Sequence, residues 1–170
     1  FGIWMRILNK VENSVLWLIG SNKWAKQNLR KEADNHGIAS KRLIFANQIP
    51  HSDHLARLKL ADLFLDTFNV NAHTTTSDAL WAGTPVITKL GNSFSSRVAA
   101  SLLKAVGLPE LIVQNEKEYE NLILEIANSS KKLFKIKETL FSNRLSEPLF
   151  NSDMYINHLE DAYNQVFENH

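Results

Sequence analysis

The sequence predicts an α/β protein with a Rossmann-like parallel sheet, helices on both faces and a helical C-terminal tail. Up to Asn115, short apolar segments alternate with amphipathic segments, which is the pattern of parallel strands joined by helices. The segment after Asn115 has helical periodicity throughout. With 170 residues, 44% of them hydrophobic and 22% charged, the chain suits a single domain spanning residues 1–170.

The composition argues against several classes of function. The 19 basic and 18 acidic residues nearly cancel, so we expect no general binding to nucleic acid or to a membrane surface. Because the chain has no cysteine, it has no disulfide, no thiolate nucleophile and no cysteine-ligated zinc. No apolar run approaches the roughly 18 residues of a membrane-spanning helix.

The first part of the chain is predicted to form three helices and two strands. Ile3, Trp4, Ile7 and Leu8 share one face of the first helix, and the continuous apolar run that follows ends at Gly20. In order, the predicted elements are a helix at 1–10, a strand at 15–19, a helix from Ser21 or Asn22 to about His36, a strand at 42–46 and a helix at 51–59.

The remaining elements are bounded by glycine and proline. Gly83 and Pro85 end one helix, and Gly107 and Pro109 end the next. We expect the final helices to pack back across the sheet. In order, the predicted elements are a strand at 62–66, a helix at 74–82, a strand at 86–88, a helix at 95–106, a strand at 111–113, and helices at 116–128, 130–143 and 152–170.

The stretch at 69–85 carries the strongest functional signal. It follows a strand ending in Asp66, and hydroxyl residues at 74–77 offer helix caps, with Thr75 and Asp78 at capping-box spacing. Unpaired N–H groups, hydroxyls and His73 would therefore meet beside the carboxyl end of a strand, which favours a phosphate site. The alternative interpretation is that the threonines are caps and His73 is an ordinary loop histidine.

A second polar group follows the strand at 42–46. His54 and Arg57 are three residues apart, so they share a face of the helix at 51–59. An imidazole can stack on a base, and a guanidinium can donate a planar pair of hydrogen bonds. The alternative is a solvated helix. His51 and Asp53 suggest no metal site, because a third well-placed ligand is lacking.

A third polar loop, at 91–97, enters the helix at 95–106. Its N–H groups and hydroxyls would suit a loop that faces the same crevice as the stretch at 69–85, and the alternative is that Ser95 and Ser96 only cap the helix. Arg97 would lie in the first turn, where the helix dipole disfavours a cation unless an anion compensates. No Gly-x-Gly-x-x-Gly and no P-loop motif is present, which argues against dinucleotide oxidoreductases and P-loop nucleotidases.

These segments together resemble a known family. The motifs are Ser-Val-Leu-Trp-Leu at 14–18, His-Thr-Thr at 73–75 with Asp78, Leu-Trp-Ala-Gly-Thr-Pro at 80–85, Ser-Arg-Val-Ala-Ala-Ser at 96–101 and Pro-Leu-Phe-Asn at 148–151. In this order they are similar to the carboxyl-terminal lobe of the O-linked N-acetylglucosamine transferases, including SPINDLY-type and bacterial tetratricopeptide-repeat proteins.

The resemblance implies one lobe of a GT-B glycosyltransferase, whose active site lies between two Rossmann-like lobes. The implied reaction is an inverting transfer of N-acetylglucosamine from UDP-GlcNAc to serine or threonine hydroxyls of protein acceptors, without a metal or other cofactor. The implied contacts are uracil at Ile49, His54 and Arg57, pyrophosphate at His73, Thr74 and Thr75, and ribose at Asp78. Family membership, with the lack of a signal peptide and of cysteine, implies a cytoplasmic location.

Two departures from the family's pattern concern the nucleotide. His51 stands where the animal enzymes carry a lysine that contacts the nucleoside, and Ala72 replaces a glycine. The family's diphosphate-binding lysine and glutamine would lie upstream of Phe1, as would the repeats and the amino-terminal lobe with its candidate base. We therefore expect a nucleotide-binding lobe of a longer protein, with no catalytic residue of its own. A degenerate scaffold, or a transferase using GDP-fucose as SPINDLY-type members do, are the alternatives.

Overall fold

The structure is a computed structural model that describes residues 1–20 and 22–169. Ser21, one of the two predicted caps, and His170, the predicted last helical residue, lie outside the described residues. Within them, eight α-helices are present: α1 (Gly2–Lys10), α2 (Lys23–Asn35), α3 (His51–Leu58), α4 (Thr74–Ala82), α5 (Val98–Ala105), α6 (Glu116–Ala127), α7 (Ser130–Asn143) and α8 (Ser152–Glu168). None of these helices has the length and apolar character needed to cross a membrane.

Five short strands alternate with the helices, and every recorded pairing is parallel. The strands are β1 (Leu16–Ile19), β2 (Leu43–Ala46), β3 (Phe64–Leu65), β4 (Val86–Lys89) and β5 (Ile112–Val113). They form two sheets in the described residues, β1-β2 and β3-β4-β5, where the sequence predicted one sheet. The parallel α/β class is therefore confirmed, but the expected continuity of the sheet was wrong.

The larger core surrounds β4, whose Val86 and Ile87 are completely buried. Residues from α4, α5, α6 and α7 close over this strand, so the three-stranded sheet is covered as a parallel sheet must be. The members with no accessible surface include Leu80, Leu103, Leu111, Ile126 and Leu140.

A smaller core lies under the β1-β2 sheet. It contains Met5 and Leu8 of α1, Ala33 of α2, and Leu43 of β2. This sheet is less covered than the other, because Ile19 at the end of β1 is 73% exposed. In β2, Ile44 is also partly exposed, at 44%.

The C-terminal tail divides into two parts. Helix α7 packs into the larger core through Ile136 and Leu140 and has the predicted bounds. Helix α8 has no buried residue, and its apolar side chains, Tyr155 and Phe167 among them, are exposed. The prediction that the whole tail packs across the sheet was therefore wrong for α8, because periodicity identifies an apolar face without identifying what it contacts.

Candidate functional site

The amino terminus of α4 lies at the carboxyl end of β3. His73 is its N-cap residue, and its side chain makes no capping hydrogen bond. The N–H groups of Thr74 and Thr75 donate to no described residue, so they remain available for an acceptor. Both threonine side chains are exposed. This arrangement suits an anion, because free N–H groups and the helix dipole point toward the same place.

The predicted capping box of Thr75 and Asp78 was wrong. The hydroxyl of Thr76 donates to the carbonyl of Ala72 at 2.7 Å, and Asp78 accepts a hydrogen bond from another helix instead. Local spacing could not indicate this, because the partner of Asp78 comes from α3. As a result, both Thr74 and Thr75 keep their hydroxyls and N–H groups free of capping contacts within the described residues.

A buried carboxylate supports the loop that enters α4. Asp66, 1% exposed, accepts hydrogen bonds from the Ala72 N–H at 2.7 Å and from the Thr88 hydroxyl at 2.6 Å. The Tyr119 hydroxyl donates to the Asp66 carbonyl at 2.9 Å. Burial raises the pKa of the Asp66 carboxyl, while the hydrogen bonds from Thr88 and Ala72 and the nearby His73 oppose that shift.

The loops after β3 and β4 are joined by hydrogen bonds. The Asn71 N–H donates to the Ser95 carbonyl at 2.8 Å, and the Ser95 hydroxyl donates to the Asn69 carbonyl at 3.2 Å. His73 Nε2 lies 3.4 Å from the Ser95 carbonyl, and its ring meets the Phe94 ring edge-on at 6.1 Å between centroids. The loop at 91–97 therefore borders the start of α4, as the sequence predicted.

The capping of that second loop differs from the prediction. Ser93 is the cap, and it forms a capping box with Ser96 in a short turn of 3₁₀ helix that precedes α5. Arg97 is the N-cap residue of α5 rather than part of its first turn. The sequence contained a signal for this cap, because Ser93 precedes Ser96 by three residues, which is the spacing of a capping box.

Helix α3 presents the base-side candidates. Arg57 donates through Nη1 to the Asn47 carbonyl at 2.8 Å, and its Nη2 lies 2.9 Å from His54 Nδ1. The guanidinium also lies over the Trp17 ring, 5.4 Å from its centroid. Ile49 lies in the loop before α3 with its side chain 37% exposed. The prediction that His54 and Arg57 share a face is confirmed.

One hydrogen bond connects the base-side and phosphate-side groups. His51 Nε2, at the start of α3, lies 3.1 Å from Asp78 Oδ1 in the first half of α4. The Asp78 side chain is 17% exposed and that of His51 is 67% exposed, so the pair lies at the surface. Two segments that are distant in sequence therefore form one edge, at the carboxyl ends of β2 and β3. In residues 1–20 and 22–169, no three His, Asp or Glu side chains form a group that could hold a metal.

Almost the whole chain is similar in sequence to curated proteins that share one enzyme name. The chain is 34% identical over 166 residues to a UDP-N-acetylglucosamine–peptide N-acetylglucosaminyltransferase of Caenorhabditis elegans, an alignment that covers 98% of this chain and 14% of the relative. It is 36% identical over 168 residues to a probable enzyme of the same name from Arabidopsis thaliana, covering 98% of this chain and 17% of the relative. The chain thus spans about a sixth of the length of these relatives.

A solved structure and a family model agree with these relatives. A mutant O-GlcNAc transferase of Thermobaculum terrenum superposes with a TM-score of 0.84 at 29% identity, covering 99% of this chain and 33% of that one. This match confirms the expected fold class. The model of glycosyl transferase family 41 matches residues 1–159. The chain therefore belongs to glycosyl transferase family 41.

Proposed function

We propose that this chain is the donor-nucleotide-binding lobe of an inverting, metal-independent protein O-glycosyltransferase that moves N-acetylglucosamine from UDP-GlcNAc to serine or threonine hydroxyls. The observation that carries the proposal is the 3.1 Å contact between His51 and Asp78. It brings the start of α4, with its free N–H groups, and the His54–Arg57 pair of α3 together at one edge of the molecule.

The pyrophosphate binds at the start of α4. The N–H groups of Thr74 and Thr75 and the hydroxyls of both residues donate to its oxygens, with His73 beside them. Asp78 lies one turn further along, where a carboxylate would repel the phosphates but can accept from a ribose hydroxyl. Its Oδ1 accepts from His51, and the carboxylate keeps further lone pairs on both oxygens to accept from the ribose.

The same donors contribute to catalysis without a metal. Negative charge develops on the diphosphate as the glycosidic bond breaks, and preorganised N–H groups at a helix terminus stabilise charge of this kind. The general base, the diphosphate-binding lysine and the acceptor-binding surface belong, in this proposal, to an amino-terminal lobe and repeats outside this chain. The isolated chain therefore binds nucleotide without turning it over, and the whole enzyme works in the cytoplasm on protein acceptors.

A scaffold lobe that no longer binds nucleotide is the second candidate. The observation in its favour is that His51 already occupies one oxygen of the carboxylate assigned to the ribose. A transferase that uses GDP-fucose is a variant of the first proposal, because the phosphate-side contacts do not distinguish one base from another.

The test is a calorimetric titration of this chain with UDP, UMP and GDP. We expect selective binding of UDP, and about tenfold or greater weakening in Asp78→Ala and in His73→Ala, because each removes a polar contact to the nucleotide. His158→Ala is the matched control, since His158 is exposed on α8 and far along the chain from the site.

Each result separates the candidates. Preference for GDP would replace the uridine donor with a guanosine one. Absence of UDP binding by the folded chain would contradict nucleotide binding by this lobe alone, and a longer chain that carries the upstream lysine would then separate the transferase from the scaffold. If the control variant lost affinity as much as Asp78→Ala, the assignment of the site to α4 would be wrong.

A further inference from the structure

Phe94 is a large apolar residue that is exposed on a fixed turn. The residue is 82% exposed, although the backbone on both sides of it is held by hydrogen bonds. A capping box between Ser93 and Ser96 closes the turn. The Asn71 N–H donates to the Ser95 carbonyl at 2.8 Å, which joins the turn to the loop before α4. The turn therefore presents the Phe94 ring to solvent on a rigid support.

The position of Phe94 matters more than its exposure, because single exposed apolar side chains are ordinary on protein surfaces. The Phe94 ring meets the His73 ring edge-on, with 6.1 Å between the centroids and 85° between the ring planes. His73 is the N-cap residue of α4, the helix whose first N–H groups donate to the pyrophosphate in the proposed function. Phe94 therefore places an exposed apolar surface beside the proposed phosphate site.

The proposed orientation of the nucleotide determines which part of it reaches Phe94. Helix α4 packs against both α3 and α5. Its Asp78 meets His51 of α3, on the side assigned to ribose and base, whereas His73 meets the turn that leads into α5. In a nucleotide sugar, the diphosphate separates the nucleoside from the sugar. With the nucleoside on the α3 side and the diphosphate at the start of α4, the sugar extends toward Phe94.

We infer that Phe94 is a specificity-determining residue whose ring stacks on the C–H face of the transferred sugar. This inference rests on the proposed function, because it assigns a contact at the far end of the same donor site. The contacts that the resemblance implies stop at the diphosphate and include no residue of the loop at 91–97. Phe94 therefore adds a sugar contact to a lobe whose other proposed contacts are with the nucleotide.

The chemistry of the contact follows from the two kinds of surface on a pyranose, a rim of hydroxyls and a face of C–H groups. The negative face of an aromatic ring attracts the C–H hydrogens, and stacking removes apolar area from water. Because the turn is fixed before the ligand arrives, little conformational freedom is lost on binding. The contact therefore favours the donor, which carries its sugar, over the bare nucleoside diphosphate that remains after transfer.

The first test is a calorimetric titration of this chain with UDP-GlcNAc and with UDP. We expect Phe94→Ala to weaken UDP-GlcNAc binding about fivefold and to leave UDP binding unchanged, because His73 keeps the Ser95 carbonyl as a neighbour at 3.4 Å. Phe134→Ala is the matched control, since Phe134 is 69% exposed on α7, and it should change neither affinity. Equal weakening of both ligands, or no change in either, would overturn the inference.

UDP-glucose separates the sugar ring from its acetamido group. Phe94→Ala should weaken UDP-glucose binding by the same factor as UDP-GlcNAc binding, because glucose presents a C–H face without the acetamido group. A loss confined to UDP-GlcNAc would assign Phe94 to the acetamido methyl group and overturn stacking on the ring. Absence of UDP binding by the wild type would instead contradict the proposed nucleotide site itself, and the two failures are thus distinguishable.

The geometry of stacking is read from the sugar protons of UDP-GlcNAc by NMR. Protons that lie over the face of a phenyl ring shift upfield, so we expect the wild-type chain to shift pyranose protons upfield. Phe94→Leu should abolish these shifts, because leucine keeps an apolar side chain without a ring, and Phe134→Leu should retain them. Upfield shifts that persist in Phe94→Leu would overturn the inference.

Discussion

Asp66 connects the loop before α4 to the core of the domain. Its two carboxylate oxygens accept separately, from the Ala72 N–H in the loop before α4 and from the Thr88 hydroxyl in β4. Thr88 is fully buried, so its hydroxyl cannot turn to water if the carboxylate is removed, whereas Ala72 is half-buried. Asp66 therefore fixes the positions of His73, Thr74 and Thr75 from the core side of the loop, although it has no contact with the nucleotide in the proposed site.

Removing the Asp66 carboxylate should destabilise the fold. We expect Asp66→Ala to lower the free energy of unfolding by about 3 kcal/mol, because it leaves the buried Thr88 hydroxyl and the half-buried Ala72 N–H without their acceptor and removes a buried side chain. Asp66→Asn should cost about 1 kcal/mol, since its amide oxygen can still accept from Ala72. Urea denaturation at pH 7 measures both. Equal losses of stability in the two variants would contradict this explanation, because hydrogen bonding at Asp66 would then make no difference to the free energy of unfolding.

The pH dependence of this residue has a definite sign. Burial raises the pKa of the Asp66 carboxyl, so the folded state binds its proton more readily than the unfolded chain does. The stability of the wild type relative to Asp66→Asn should therefore fall as pH rises from the ordinary aspartate value of about 4 through the raised value. Above that window the difference should be constant. A wild type that gains stability over Asp66→Asn across this range would contradict the assignment.

At this scale the sequence predicted which residues matter better than what they contact. The positions of His73, Thr74 and Thr75 at a helix start followed from hydroxyl residues after an apolar strand. The partner of Asp78 did not, because His51 lies 27 residues away and the spacing of a capping box was a plausible local alternative. Local patterns identify polar groups, and tertiary structure decides their partners.

At the scale of elements, the turn before α5 is built around Gly91. Its N–H donates to the Ser96 carbonyl at 2.9 Å, and a Cβ at Gly91 would overlap the Ser96 side chain. The neighbouring Ser95 carbonyl accepts from Asn71 and lies beside His73. A shift of this turn would therefore also move the loop that enters α4.

We expect Gly91→Ala to cost about 2 kcal/mol of stability, because the added methyl group must displace Ser96. It should also weaken UDP binding, since the Ser95 carbonyl would move away from His73. Gly2→Ala is the matched control: its Cβ would lie 3.7 Å from the nearest atom, in Arg6, and alanine favours a helix. Thermal unfolding and calorimetry measure the two effects. A Gly91→Ala variant with unchanged stability and affinity would show that the turn does not support the site.

The bounds of elements were predictable where caps define them. Helix α7 has the predicted bounds, and Gly83 ends α4 with φ of +89°, a conformation that glycine adopts without strain. Strand β3 is shorter than its apolar run, two residues against the five predicted at 62–66. The length of a strand depends on the register of its neighbours, which a single segment does not encode.

At the scale of the whole molecule, an ion-pair cluster joins the first helix to the second half of the chain. Glu120 of α6 contacts Lys10 at 2.8 Å and Arg6 at 2.9 Å, both on α1. The hydrogen bond from Lys10 is the main reason that the pKa of Glu120 is lowered, and Arg6 adds to it. Since α1 also supplies Ile7 to the larger core, this cluster stabilises a contact that spans the domain.

Glu120→Gln should lower stability at pH 7 by about 1 kcal/mol, because both cations are largely solvated and surface pairs are weak. A lowered carboxyl pKa contributes stability above its unfolded value, and that contribution is lost as pH falls through the folded value. The difference between wild type and variant should thus shrink below about pH 4. High salt should shrink it too. A difference that grows in acid would contradict this account.

The parallel α/β class was predictable because apolar runs and helical faces alternate regularly along the chain. The division into two sheets was not, since nothing in β2 or β3 alone indicates which strand lies beside it. The exposure of α8 was likewise not predictable from its amphipathic pattern. Periodicity predicts that a helix has an apolar face. It does not predict what packs against that face, because the partner is not encoded in the same segment.

In the proposed function, a nucleoside diphosphate binds at the start of α4, between that helix and α3. Chemical-shift mapping of the ¹⁵N-labelled chain with UDP locates the binding site residue by residue. The largest amide shifts should fall on Thr74 and Thr75, with smaller ones around His54. A cavity of about 500 Å³ lies nearby, lined by Trp4, Phe68 and other residues outside α3 and α4. Shifts centred on that cavity, or none in a folded chain, would contradict the claim.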